Sequence, residues 1–141
     1  MRRLLGSINE AHCSAAVAAM KEGRGAALGA QMTRAQADFD ALAAPMCPQE
    51  LAAPKLHAVL THPGIQRHVH GAKGVGSQGD GSAQLLCKSA DDMRAVVAAL
   101  EDPREGLDVA CMMLTIPASR GAGRSGAARG ASGEVHAQLC G

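Results

Sequence analysis

Between Gly71 and Gly81, five of eleven residues are glycine, in the run Gly-Ala-Lys-Gly-Val-Gly-Ser-Gln-Gly-Asp-Gly. No other stretch constrains the fold as much, because each glycine surrenders more backbone freedom on ordering than any other residue. A compact chain accepts that cost where backbone must enter the φ > 0 region or come very close to another group. Amides free of Cβ crowding can then converge on an anion such as phosphate, with Lys73 beside them as a point charge. Gly71, Lys73, Gly74, Gly76, Ser77, Gln78, Gly79, Asp80 and Gly81 are therefore the candidate ligand-binding residues.

The hydrophobic pattern places elements on both sides of this run. Leu5, Ile8, Ala15 or Ala16, and Met20 predict an alanine-rich helix over Arg2–Lys21, ended by Gly23-Arg24-Gly25. Leu28, Met32, Ala35, Phe39 and Leu42 form a 4-3-4-3 stripe, with Gln31, Arg34, Gln36 and Asp38 outside it. This second helix is expected to lie antiparallel to the first. Pro48 suits the start of a helix reaching about Leu60, kinked or divided at Pro54 and closed by His62-Pro63-Gly64. Ile65 to Lys73 reads as extended, and Ser82 to Cys87 as the strand leaving the glycine run. Ser89 caps a helix carrying Met93, Val96, Val97 and Leu100, with Asp91 and Asp92 in its first turn. Asp102-Pro103-Arg104 ends that helix, and Leu107 to Ile116 is rich in strand-forming residues. From Ala118 onward, Gly, Ala, Ser and Arg dominate without periodicity, so a domain over 1–117 followed by a disordered tail over 118–141 is expected. The element order implies an α+β sandwich with helices on one sheet face.

Composition narrows the function classes. At 141 residues the chain suits one domain. Alanine supplies much of its 47% hydrophobic content, and Phe39 is the single aromatic, which implies modest stability. It also removes the stacking platforms that single-stranded nucleic-acid binding uses. Fourteen basic against thirteen acidic residues leave a formal charge of +1, so no global field draws the chain to nucleic acid or membrane. No apolar run approaches the ~20 residues that span a bilayer. Met-Arg-Arg-Leu-Leu begins like a signal peptide, but Ser7, Asn9, Glu10 and His12 break the apolar region, so a cytoplasmic location is expected. The scattered Cys13, Cys47, Cys87, Cys111 and Cys140 form no C-x-x-C pair and read as reduced thiols. His57, His62, His68 and His70 cluster loosely, and His68-x-His70 on a strand would put both imidazoles on one face. No Asp, Glu or Cys joins them at ligand spacing, so no metal site is expected. His70 stands close enough in sequence to the run to approach a substrate there. Asp80 could contact a sugar hydroxyl or Mg²⁺, or serve only as a residue that tolerates a left-handed turn.

Several known glycine loops fail on context. Gly74-Val75-Gly76-Ser77-Gln78-Gly79 satisfies G-x-G-x-x-G, but a strand follows where a dinucleotide fold needs a helix. Lys73 lies at the wrong end for a Walker A loop, and H-R-D and D-F-G elements of protein kinases are missing. A ligand-free hairpin needs only one or two glycines.

Gly71, Ala72, Lys73, Gly76, Gly79 and Gly81 together resemble the third, C-terminal motif of the GHMP kinases (galactose, homoserine, mevalonate and phosphomevalonate kinases). Val75, Ser77, Gln78 and Asp80 depart from the motif's usual hydroxyl, alanine and glycine residues. The Gly-Val-Gly-Ser-Gln-Gly-Asp-Gly version and Gln36-Ala37-Asp38-Phe39-Asp40 look closest to the sugar-kinase-like branch, and the resemblance runs from about Leu4 to Ile116. It implies a ferredoxin-like sandwich with additional N-terminal helices, ATP and Mg²⁺ as cofactors, and a sugar-like substrate. It also implies that the chain is a C-terminal half with no catalytic residue of its own. The N-terminal kinase domain, with its own phosphate loop and catalytic groups, would come from elsewhere. The alternative is a non-catalytic ferredoxin-like module for ligand binding or assembly.

Overall fold

The computed structural model describes residues 3–76, 79–115 and 133–139. After an irregular turn at Leu4–Ile8, α1 (Asn9–Lys21) and α2 (Gly25–Leu42) form the expected antiparallel hairpin. Gly23 turns the chain between them at φ 64°, a conformation that favours glycine. Three short helices follow, α3 (Pro48–Leu51), α4 (Pro54–Leu60) and α5 (Pro63–Gln66). Each starts with proline, whose fixed φ fits the first helical position and whose missing N–H would have no helical partner there. Pro54 divides the segment, as its sequence suggests. Ile65, expected to be extended, instead lies in α5, buried against the core. Then come β1 (Val69–Gly74), β2 (Ser82–Cys87), α6 (Ala90–Leu100), β3 (Val109–Thr115) and β4 (Gly133–Leu139).

Strand β4 corrects the expectation that everything from 118 to 141 is disordered. Gly133–Leu139 pairs on one side with β2, Val135 opposite Leu85, and on the other with β3, Val135 opposite Met113. A short strand with two neighbours satisfies its whole backbone in the ladder, which composition alone does not reveal. The rest of the expected tail, 118–132 with Cys140 and Gly141, lies outside the described residues.

The sheet order is β1-β2-β4-β3, and every neighbouring pair is antiparallel. Strands β2 and β3 are therefore parallel to each other, joined through α6, with β4 between them. This is a split βαβ unit. The architecture is α+β, with a small antiparallel sheet.

The core lies on one sheet face. Ala83, Leu85 and Cys87 of β2, with Val69 of β1, meet Leu56 and Val59 of α4, Ile65, and Met93, Val96 and Leu100 of α6. Each large aliphatic side chain buried there contributes about 1.5–3 kcal/mol. Helix α6 holds its place because Ser89 accepts a hydrogen bond from the Asp92 amide at 3.1 Å, while Asp91 and Asp92 face the positive end of its dipole. Helices do not keep to one face, however. Leu86, on the opposite side from Leu85, is buried, and the hollow beside it is lined by Ala19, Met20 and Leu28 at the α1–α2 turn.

Helix α2 is also rotated from its expected stripe. Gly29, Met32 and Gln36 are its buried residues, whereas Leu42 is exposed. The cause is a close approach to β1. A Cβ on Gly29 would collide with the His70 backbone, and a Cβ on Gly71 with the Gly29 carbonyl. At that separation Gln36 Oε1 accepts a hydrogen bond from the Gly74 amide at 2.7 Å. The next amide, that of Val75, bonds Ser82 across the hairpin, so Gly74 N–H points away from β2. A buried glutamine thus satisfies an edge-strand donor that would otherwise be stranded.

Gly71→Ala is expected to lower unfolding free energy by about 3 kcal/mol, because backbone on both sides must move. Gly6→Ala, where an added Cβ meets nothing within 4 Å, provides the contrast. Urea denaturation of the two variants checks the pair; equal midpoints would contradict the close packing.

Candidate functional site

The glycine run is the β1–β2 hairpin with its loop. Gly71, Lys73 and Gly74 belong to β1, Gly76 begins the turn, and Gly79, Asp80 and Gly81 lead into β2. Ser77 and Gln78 lie outside the described residues. Val75 donates to Ser82 at 3.0 Å and closes the mouth of the loop, and the Gly81 amide donates to Gly79 at 2.7 Å. The five glycines serve different ends. Gly71 admits α2, and Gly74 offers its amide to Gln36. Gly76 sits at φ 72° with open space around it. Gly79 passes the Glu50 carbonyl, which an added Cβ would meet at 3.3 Å, while one on Gly81 would meet nothing closer than 4.0 Å.

Two side chains singled out for ligand contact are engaged within the fold. Asp80 Oδ1 accepts a hydrogen bond from the Leu56 amide at 2.9 Å, in the first turn of α4. The residue in the cap position of that helix is Ala53, held at φ 42° and unable to cap. A carboxylate from the loop therefore supplies both the acceptor and the favourable charge at that helix start. Lys73 Nζ donates to the carbonyl of Gly74 at 2.7 Å, so its ammonium group bends back onto its own strand.

The histidines do not converge. His68 accepts from Arg67 Nε at 2.9 Å through Nε2, which puts its proton on Nδ1, facing Asp92 Oδ1 at 2.7 Å. Ser89, then His68, hold the Asp92 carboxyl below the usual carboxylate range. His62 Nδ1 accepts from the Gly64 amide while Nε2 faces Glu105 at 3.2 Å. His12 bridges α1 to α2 through Asp38 at 2.8 Å and Gln31. The His68-x-His70 pair fails as a chelate because His68 precedes β1 and the β1–β2 register shifts between Val69 and Gly71. Among the described residues no group of three or more metal-ligating side chains occurs.

Sequence reasoning missed a cleft of about 360 Å³ between α2, α4 and β1, in which polar side chains share the wall with Ala37, Leu60, Val69 and Ala72. Gln36 Nε2 donates to Asp40 Oδ1 at 2.8 Å, and His57 Nε2 lies 3.6 Å from the same oxygen. The i, i+4 spacing of Gln36 and Asp40 was the visible signal; nothing local links them to His57.

Cys111 on β3 is half-buried, and its amide donates to Glu101 Oε1 at 2.7 Å. Burial first, and Glu101 second, push its thiol up to about 12. No helix among the described residues is long and apolar enough to cross a membrane. Comparison with protein-family models, curated proteins and solved structures finds no match to the chain.

Two outcomes follow. Asp80→Ala should cost about 1 kcal/mol through loss of the α4 cap, read as a lowered Tm; an unchanged Tm would contradict that role. Because folding raises the Cys111 pKa, its stabilising contribution is present below the thiol's ordinary value of 9.0 and is lost as pH rises toward about 12. At pH 8 it stays protonated, so iodoacetamide should label the exposed Cys13 and Cys47 well before Cys111 in peptide mapping.

Proposed function

We propose that this chain forms the C-terminal half of an ATP-dependent small-molecule kinase of the GHMP type, acting in the cytoplasm on a sugar-like alcohol. The observation that carries the reading is the sequence Gly71-Ala72-Lys73 ending β1, a glycine-rich hairpin loop with Gly76 at positive φ, and then β2–α6–β3. The split βαβ unit, with β1 and α2 added at its β2 side, supports a ferredoxin-like sandwich in permuted order. In the complete enzyme the loop would position phosphate or substrate, with ATP and Mg²⁺ held chiefly by a partner domain. Phosphoryl transfer depends mostly on positioning and charge stabilisation, so amides on a rigid hairpin are sufficient for this share of the work. Met112, Met113 and Leu114 on edge strand β3 are exposed, the kind of surface a partner domain covers. The engagement of Lys73 and Asp80 within the fold favours the second reading, a non-catalytic binding or assembly module, for those two side chains.

The purified chain is expected to bind Mg-ATP weakly and to phosphorylate no sugar. Amide shifts on ATP titration should centre on Gly76 and Gly79, and Gly76→Val should abolish them by forcing a branched residue to φ 72°. Binding that survives both Gly76→Val and Lys73→Ala removes the loop from the site. Turnover by the chain alone would overturn its assignment as a half-enzyme.

A further inference from the structure

The cleft between α2, α4 and β1 has an uneven hydrogen-bonding inventory. Its donors are largely spent inside the protein. Thr33 Oγ1 donates to the Gly29 carbonyl at 3.2 Å, and Thr61 Oγ1 to the His57 carbonyl at 2.7 Å. Gln66 Nε2 donates to the carbonyls of Leu60 and His62 at 3.0 and 3.2 Å. Gln36, buried, spends one N–H on Asp40 and accepts the Gly74 amide through its oxygen. What remains on the lining is mostly acceptor: Asp40 Oδ2, the hydroxyl lone pairs of Thr33 and Thr61, and Gln66 Oε1. With the His57 Nε2 proton turned toward Asp40, His57 Nδ1 adds another acceptor. His70, also on the lining, makes no side-chain hydrogen bond among the described residues. Among the described residues Asp40 is the one carboxylate on the wall, and neither lysine nor arginine lines it.

A wall with surplus acceptors and one carboxylate repels anions and leaves a neutral polyol short of partners for its own oxygens. It suits a compact cation with several N–H donors. We propose that this cleft binds a small hydroxylated primary amine, its ammonium group on Asp40 and its hydroxyls donating to Thr33, Thr61 and His57. The volume, about 360 Å³, accommodates a molecule of monosaccharide size. The site is separate from the glycine-rich loop and does not rest on the kinase reading, since amine and ATP titrations report on different amides.

The test is an NMR amide-shift titration of the full chain with D-glucosamine, against D-glucose, which replaces the ammonium by a hydroxyl. Glucosamine should shift Thr33, Asp40, Thr61 and Gly71, with glucose about tenfold weaker, the worth of one charge-assisted hydrogen bond. Asp40→Asn should weaken glucosamine about tenfold while its own spectrum keeps the folded dispersion. Should Asp40→Asn fail to fold, Thr61→Val serves in its place, removing an acceptor while keeping the side-chain shape, and must also weaken glucosamine. Absence of shifts at these amides, equal response to glucose, or unweakened binding in the folded variant each overturns the proposal.

Discussion

Backbone contact between α2 and β1 is the constraint on which the other features depend. Gly29 and Gly71 each lack the Cβ that would hold helix and strand apart. Interiors packed to crystal-like density transmit such contacts rigidly. Because the helix sits this close, Gln36 reaches the outward-facing amide of Gly74, and Asp40, one turn on, faces His57 on α4. The same approach fixes where β1 ends, and so where the glycine-rich loop begins. One pair of glycines therefore sets the orientation of the longest helix, the protection of a sheet edge and the walls of the cleft.

A core of alanine, leucine, valine and methionine offers little shape by which to choose one register over another. Polar ties between elements supply that choice. His12–Asp38 joins α1 to α2, His57–Asp40 joins α2 to α4, and His68–Asp92 joins the start of β1 to α6. Asp80 joins the loop to α4. Pairs this close to solvent are worth little singly, near 0–1 kcal/mol, so their effect is to select an arrangement more than to stabilise it. Both edges of the sheet follow the same logic: Gln36 takes the free amide of Gly74 on β1, and Glu101 takes that of Cys111 on β3. Side chains from neighbouring helices thus occupy donors that an added strand would otherwise seek.

Elements written in local chemistry were legible in the sequence. The Ser89 cap and its two aspartates announce α6, Pro48 and Pro54 announce α3 and α4, and Ser82–Cys87 reads correctly as β2, whereas Pro63 reads as a helix end although it starts α5. Features that depend on partners distant in sequence were not legible. Strand β4, Gly-Glu-Val-His-Ala-Gln-Leu, is too polar to declare itself without β2 and β3 beside it. The stripe on α2 counted Gln36 as outward-facing, since nothing local shows that a strand amide is waiting for it. The candidate site was half legible: the position of the hairpin loop could be read, but not the engagement of Asp80 and Lys73 inside the fold.

This division changes what the glycine-rich run means. Read as a unit, five glycines look like one device for holding an anion. In the fold they separate into Gly71, packed against Gly29 of α2, Gly74, whose amide bonds Gln36, and the three glycines from Gly76 to Gly81. Gly71 is accounted for by α2 whether or not any ligand exists. Among the last three Gly76 stands out, because its positive φ, and not a neighbour crowding a side chain, favours glycine there. Gly76 is a glycine kept for conformation at an exposed turn, beside a hairpin end that Asp80 ties to α4. Asp80 ties the end of the run to α4 instead of standing free as a ligand group.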